Sequence, residues 1–283
     1  SSGRRGAAGV HPTIGGVACG TADSRRLPML FSVLENSDTT FGECPMVEFE
    51  LTDGLAVITI DRPQARNAIA PETMDQLEAA LDRAEGALAL VIRGGGDRAF
   101  VSGGDLKELA KLRTEEQAAD MARQMRAICD RIAAFPAPVV AALNGHALGG
   151  GAEVAIAADI RIAADDIRIG FNQVTLEIMP AWGGAERLAA VIGRGRALLL
   201  AGSGRILDAG EAQRLGLIDQ VFPRATFEEG WRSIARSLTH RAAGDIKKVM
   251  AGVPAEEAIA AFARLWVSDE HWAAADKVMS RPK

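Results

Sequence analysis

Two glycine-rich segments hold the residues best suited to chemistry. The first is Ala99-Phe100-Val101-Ser102-Gly103-Gly104-Asp105-Leu106-Lys107-Glu108, and the second is Asn144-Gly145-His146-Ala147-Leu148-Gly149-Gly150-Gly151-Ala152-Glu153. Each lies where a strand pattern gives way to a helix pattern. Glycine lets another group approach the backbone closely, and the first amides of a helix lack intrahelical acceptors at the positive end of its dipole. Two such segments that converge can hold one carbonyl oxygen between two N–H groups, which is an oxyanion hole. The same glycines also suit plain tight turns at strand ends.

Other chemistries lack their residues. No Walker, dinucleotide-fingerprint, H-E-x-x-H or G-x-S-x-G pattern occurs, and no cluster has metal-ligand spacing, so no metal is expected. With no tyrosine in the chain, phenolic acids and nucleophiles are excluded. Cys19, Cys44 and Cys129 form no C-x-x-C pair, which fits a reduced, cytoplasmic protein rather than a disulfide framework. Thirty-two basic against 37 acidic side chains leave a net charge of −5, with no pull towards nucleic acid or anionic lipid. The apolar runs are too short and interrupted to span a membrane.

The elements that must position these segments are legible from periodicity. Val47–Leu51, the turn Asp53-Gly54 and Leu55–Ile60 read as a hairpin. A helix is expected after Pro71, with Met74, Leu77, Leu81 and Ala84 on one face, and a buried strand at Leu88–Ile92. Thr114–Gln117 has the form of a capping box for a helix carrying Met121, Met125, Ile128 and Ile132. Strands are expected at 138–143, 159–163 and 167–170, and an almost wholly helical pattern from about residue 182. The fold class is therefore α/β with a helical C-terminal part. Residues 1–45 are rich in Gly, Ser and Ala, lack an apolar core typical of a secretory signal, and are expected to be a poorly ordered extension; a transit-like segment leading to an organellar matrix is the alternative. The core is expected at 46–207 and the helical region at 208–283.

Taken together, the segments resemble the enoyl-CoA hydratase/isomerase (crotonase) superfamily from about Met46 onward. The likeness rests on Ile60-Asp61-Arg62-Pro63 with Asn67-Ala68, on both glycine segments, on Ile178–Leu188 and on Gly204–Asp219. It implies a spiral of ββα units, a C-terminal region that packs in homotrimers or hexamers, and an acyl-CoA thioester as substrate with no separate cofactor. By the same likeness the amides of Gly104 and Gly150 grip the thioester carbonyl, and Glu153 is the first catalytic glutamate. Ala65, Arg66, Gly104, Asp105, Leu106, Lys107 and Gly150 match positions along the CoA path.

The second hydratase glutamate is missing. Counting back from Met179-Pro180, its place falls on Gln173, which can orient water or substrate but cannot transfer their protons as an acid does. Glu177, one helical turn further on, is the nearest spare acid. The resemblance thus implies an enoyl-CoA hydratase-like lyase, with decarboxylation of malonyl-type CoA thioesters or double-bond isomerisation as alternatives. An inactive acyl-CoA-binding or assembly protein is the non-enzyme alternative.

Overall fold

The computed structural model describes residues 45–280. The expectation for the N-terminal extension, with Cys19 and Cys44, falls outside them. The chain begins with the hairpin β1 (Val47–Thr52) and β2 (Leu55–Ile60), closed at Asp53-Gly54, both of which take positive φ. Helix α1 (Pro71–Arg83) starts on a proline, whose missing N–H is no loss there, and buries Met74, Leu77 and Leu81. Strands β3 (Ala89–Gly94) and β4 (Ala99–Val101) lead to the single-turn α2 (Leu106–Leu109), and then to α3 (Glu115–Ala133). Thr114 and Gln117 cap α3 reciprocally, and Met125, Ile128 and Ile132 are buried while Met121 is half-buried.

The second half of the core repeats the alternation. It runs β5 (Val139–Leu143), β6 (His146–Leu148), α4 (Gly150–Ala157), β7 (Ile160–Ala164) and β8 (Arg168–Gly170). Then come α5 (Gly184–Ile192), α6 (Arg194–Ser203), β9 (Leu207–Asp208), α7 (Ala209–Arg214) and β10 (Gln220–Phe222). Helices α8 (Phe227–Ser237), α9 (Arg241–Met250), α10 (Ala255–Trp266) and α11 (Asp269–Met279) follow. The sequence pattern from about residue 182 reads as almost wholly helical; β9 and β10 interrupt it. At two and three residues, neither strand is long enough to impose a period of two.

The strands form two sheets. One has the order β1-β2-β3-β5-β7-β10, parallel beyond the first pair; the other is β4-β6-β8-β9, with β9 antiparallel. Consecutive strands β3/β4, β5/β6 and β7/β8 thus divide between the two sheets, so the chain passes through a corner each time. Two buried asparagines hold the corner at 94–99. Asn67 donates to the carbonyls of Gly95 and Ala99, and Asn144 accepts from the Gly94 amide and donates to Gly96 O and Ala99 O. Leaving such amides unpaired in a buried corner would forfeit their solvation, so each position demands a side chain with both donor and acceptor. Arg161, 4% exposed, spans from β7 to Leu217 O and Asp219 and so fastens the C-terminal segment to the core. Trp231 is fully buried, whereas Trp266 and Trp272 lie half-exposed in an aromatic group with Phe262 and His271.

Candidate active site

Both glycine segments run from a strand of the second sheet towards a helix start. β4 and β6 are parallel neighbours, so their C-terminal ends deliver Gly103-Gly104 and Gly149-Gly150 side by side. A Cβ placed on Gly103 would stand 3.4 Å from the Gly150 amide nitrogen. Gly150 is the first residue of α4, and among the described residues neither its amide nor that of Gly104 donates to a protein acceptor. Two unpaired donors meeting at a helix start can stabilise a developing oxyanion.

Glu153 lies on the first turn of α4 and is only 2% exposed. Its Oε2 accepts the amides of Trp182, at 2.8 Å, and Gly184, at 2.9 Å, where α5 begins; its Oε1 accepts Gln173 Nε2 at 2.8 Å. Burial pushes its carboxyl above the ordinary range, while the bonds from Gly184, Trp182 and Gln173 pull the other way. Raised pKa, burial and fixed orientation together suit a group that takes and returns a proton. Close packing enforces the arrangement. A Cβ on Gly150 would fall 2.1 Å from Trp182 Cζ3, and one on Gly184 would fall 2.3 Å from Glu153 Cγ.

Gln173 is buried at the start of the 3-10 turn Gln173–Leu176, and the structure brings it directly onto Glu153. Glu177, which caps that turn with φ of +56°, is exposed, unlike Gln173 and Glu153. Ala65 and Arg66 lie on the 3-10 turn Pro63–Ala65 and its left-handed cap. A short parallel bridge sets this loop against the first glycine segment: Ile69 N donates to Gly103 O and Asp105 N donates to Ile69 O. Arg62 adds an ion pair to Asp105 at 3.0 Å. Burial would raise the Asp105 carboxyl, but Arg62 and the amides of Glu108 and Lys107 outweigh it and hold it below the usual range. Leu106 and Lys107 are exposed beside this junction. A cavity of about 580 Å³ adjoins it, lined by Arg66, Arg98, Arg224, Asp97, Asp166 and His146 among others. A larger hollow of about 780 Å³ lies between α9, α10 and α11, and none of the candidate residues lines it.

Sequence reasoning missed Trp182 and Gly184 as the anchors of Glu153, and Arg62 as the partner of Asp105. The only signal was the run Pro180-Ala181-Trp182-Gly183-Gly184, whose paired glycines before a helix mark a close backbone approach. Among the described residues no group of His, Cys, Asp or Glu is placed to hold a metal, and no helix is long and apolar enough to cross a membrane.

Comparison with known proteins gives the family. Residues 50–264 match the family model described as enoyl-CoA hydratase/isomerase. A Clostridium acetobutylicum protein named "Short-chain-enoyl-CoA hydratase" is 34% identical over 196 residues, covering 68% of this chain and 75% of that one. A Bacillus subtilis protein named "Probable enoyl-CoA hydratase" is 40% identical over 167 residues, and the match spans 58% of this chain and 64% of the relative. Among solved structures, enoyl-CoA hydratase from Thermoplasma volcanium superposes with a TM-score of 0.74 at 31% identity, covering 84% of this chain and 98% of that one. The α/β fold, the paired glycine segments and the matched span agree: the chain belongs to the enoyl-CoA hydratase/isomerase family.

Proposed function

We propose that the protein is an acyl-CoA lyase of the hydratase type, which forms a thioester enolate between the amides of Gly104 and Gly150 and uses Glu153 as its general acid and base. The observation that carries this reading is Glu153 itself: a buried carboxylate, oriented by three donors, three residues beyond the Gly150 amide. An enolate oxygen bears charge only once the reaction is under way, so fixed amides there favour the transition state over the bound thioester. The cavity beside Arg66 carries Arg66 and Arg98 for the phosphates of coenzyme A, with the Arg224–Asp166 pair and Asp97 on the same wall, and the thioester end would then pass Gly104–Lys107. No cofactor beyond the substrate's own coenzyme A is needed. Exposed apolar residues on α9–α11, including Met250, Phe262, Trp266 and Trp272, support assembly of this chain as a homotrimer or hexamer.

A second reading is favoured by one observation. Hydration in the resembled family uses two carboxylates, and here Glu153 meets Gln173 instead. Decarboxylation of a malonyl-type thioester needs the oxyanion hole and one proton donor only. The test is to incubate the protein and its Glu153→Gln variant with crotonyl-CoA, a β,γ-enoyl-CoA and methylmalonyl-CoA, and to follow products by mass. Turnover of crotonyl-CoA that falls by about 10²–10⁴ in the variant is expected for loss of general acid–base catalysis. The wild-type rate should decline on the acid side at a pH above the ordinary carboxylate range, since Glu153 must be ionised to act. Equal background rates for both proteins on every substrate would overturn the assignment.

A further inference from the structure

Gln173 occupies the place where the resemblance puts a second catalytic acid, and its surroundings give it a task. Its Nε2 faces Glu153 Oε1, and this orientation has a chemical cause. Glu153 accepts two backbone amides on Oε2, and in the ionised form Oε1 is an acceptor too, so the NH2 end of the carboxamide turns towards it. The other end of the amide, Gln173 Oε1, is buried without a hydrogen-bond partner among the described residues, on a side chain that is 7% exposed. Buried acceptors are nearly always satisfied, so this one calls for a donor supplied by a ligand. Its position agrees: a Cβ on Gly149 would stand 3.9 Å from Gln173 Cδ, one residue from the Gly150 amide.

We propose that Gln173 is a positioning residue: its Oε1 holds a water molecule, or the β-hydroxyl that becomes one, whose other hydrogen points at Glu153 Oε1. This rests on the enolate reading above and extends it to a hydration that runs on one carboxylate. The two heteroatoms of one carboxamide share a carbon, so an acceptor bound to Nε2 lies within a single water's span of Oε1. Glu153 takes one proton from that water as the water oxygen bonds to Cβ of the 2-enoyl thioester. The Cα=Cβ electron pair moves to Cα–C1, and the carbonyl pair moves onto the thioester oxygen between Gly104 and Gly150. The enolate then collapses, Cα takes the proton back from Glu153, and the carboxylate is restored. The products are a 3-hydroxyacyl-CoA and the unchanged enzyme, and the reverse sequence is a dehydration. A malonyl-type carboxylate would bring only further acceptors to Gln173 Oε1 and Glu153, so the pair selects a thioester with a hydroxyl donor at Cβ.

The test uses the full chain with crotonyl-CoA, alongside α-proton exchange of butyryl-CoA in D2O, which requires the enolate but no added water. Both are measured at the pH of maximal wild-type turnover, with Gln173→Met and Gln173→Glu as variants. Gln173→Met should lower kcat for hydration by roughly 10²–10³, as for loss of one preorganised hydrogen bond, with KM within about threefold, and should lower exchange by a clearly smaller factor, through the lost Nε2 donor to Glu153 alone. Gln173→Glu should retain the hydration that Gln173→Met loses and add a second ionisation to a kcat profile that shows one in the wild type, because adjacent carboxylates shift each other's titration. Hydration retained by Gln173→Met within about threefold, or equal loss of exchange and hydration, would overturn the role of Gln173 while leaving the enolate reading standing. Absence of both exchange and hydration in the wild type would overturn the enolate reading, and this proposal with it.

Discussion

Replacing Gly150 by alanine should damage the site through Trp182 before it touches any substrate. The added Cβ would lie 2.1 Å from Cζ3, 2.4 Å from Cη2 and 2.8 Å from Cε3 of that ring. Carbon atoms in contact prefer a separation of about 3.5–4.0 Å, so helix α4 and the indole must part by about 1.4 Å or more. Neither can yield freely. The ring is 6% exposed, its own amide is tied to Glu153, and its carbonyl accepts from Arg187. Overpacking of this kind costs about 1–3 kcal/mol, which for a protein of this size lowers Tm by roughly 2–12 °C. The catalytic loss should be larger than the stability loss suggests, because the displaced segment carries a donor to Glu153, and a shift of about 1 Å in a reacting group can cost on the order of 10²-fold in rate. Thermal melts and crotonyl-CoA turnover measure the two effects. Trp182→Phe removes the clashing atoms, so the double variant should recover most of the lost Tm. A Gly150→Ala protein with Tm within about 1 °C of wild type and activity within about threefold would refute the reasoning, as would a double variant no better than the single one.

Asp105→Asn should cost about 1–3 kcal/mol by leaving the Arg62 guanidinium without its counter-charge, and should raise KM for the CoA thioester because the 62–69 loop is then tied to Gly104 by its backbone bridge without the ion pair. The pH dependence has a definite sign. Asp105 has a lowered folded pKa, so its contribution is present above the unfolded value of 3.8 and is lost as pH falls below it; the variant should lack that acid-side loss in melts taken from pH 5 downwards. Cys129 is buried and its thiol is pushed up to about 12 by desolvation, so in the folded protein it should resist a disulfide reagent at pH 8 and react only on unfolding. Modification of Cys129, identified by peptide mass, at the rate of a free thiol would contradict its placement.

Local pattern carried much of the fold because the elements that matter are long and periodic. The hairpin at 47–60, the α1 stripe and the capped α3 all have their cause within a dozen residues of sequence, and each is where periodicity puts it. The paired glycine segments were legible for the same reason, since a strand end, a glycine run and a helix start are local signals. What escaped was contact between distant positions. Trp182 and Gly184 reach Glu153 across 29 and 31 residues, Gln173 reaches it across 20, and Arg62 reaches Asp105 across 43. No spacing rule predicts such pairs, because they depend on how β4, β6 and the start of α5 are brought together in space. The short β9 and β10 were hidden by a different cause, namely pairing with partners that supply the order their own residues do not.

The two backbone amides that grip Glu153 Oε2 have a consequence for motion. Helix α4 and the start of α5 are joined through one carboxylate, so the group proposed to carry the proton is also a fastener. Each time Glu153 holds a proton its oxygens become weaker acceptors, and the fastening slackens; each time the proton leaves, it tightens again. A protein that works this way loads and unloads one of its own joints at every turnover. If Glu153 plays the proposed role, the beginning of α5, with the Trp182 indole pressed on Gly150, is the part of the core whose stiffness should rise and fall in step with the chemistry.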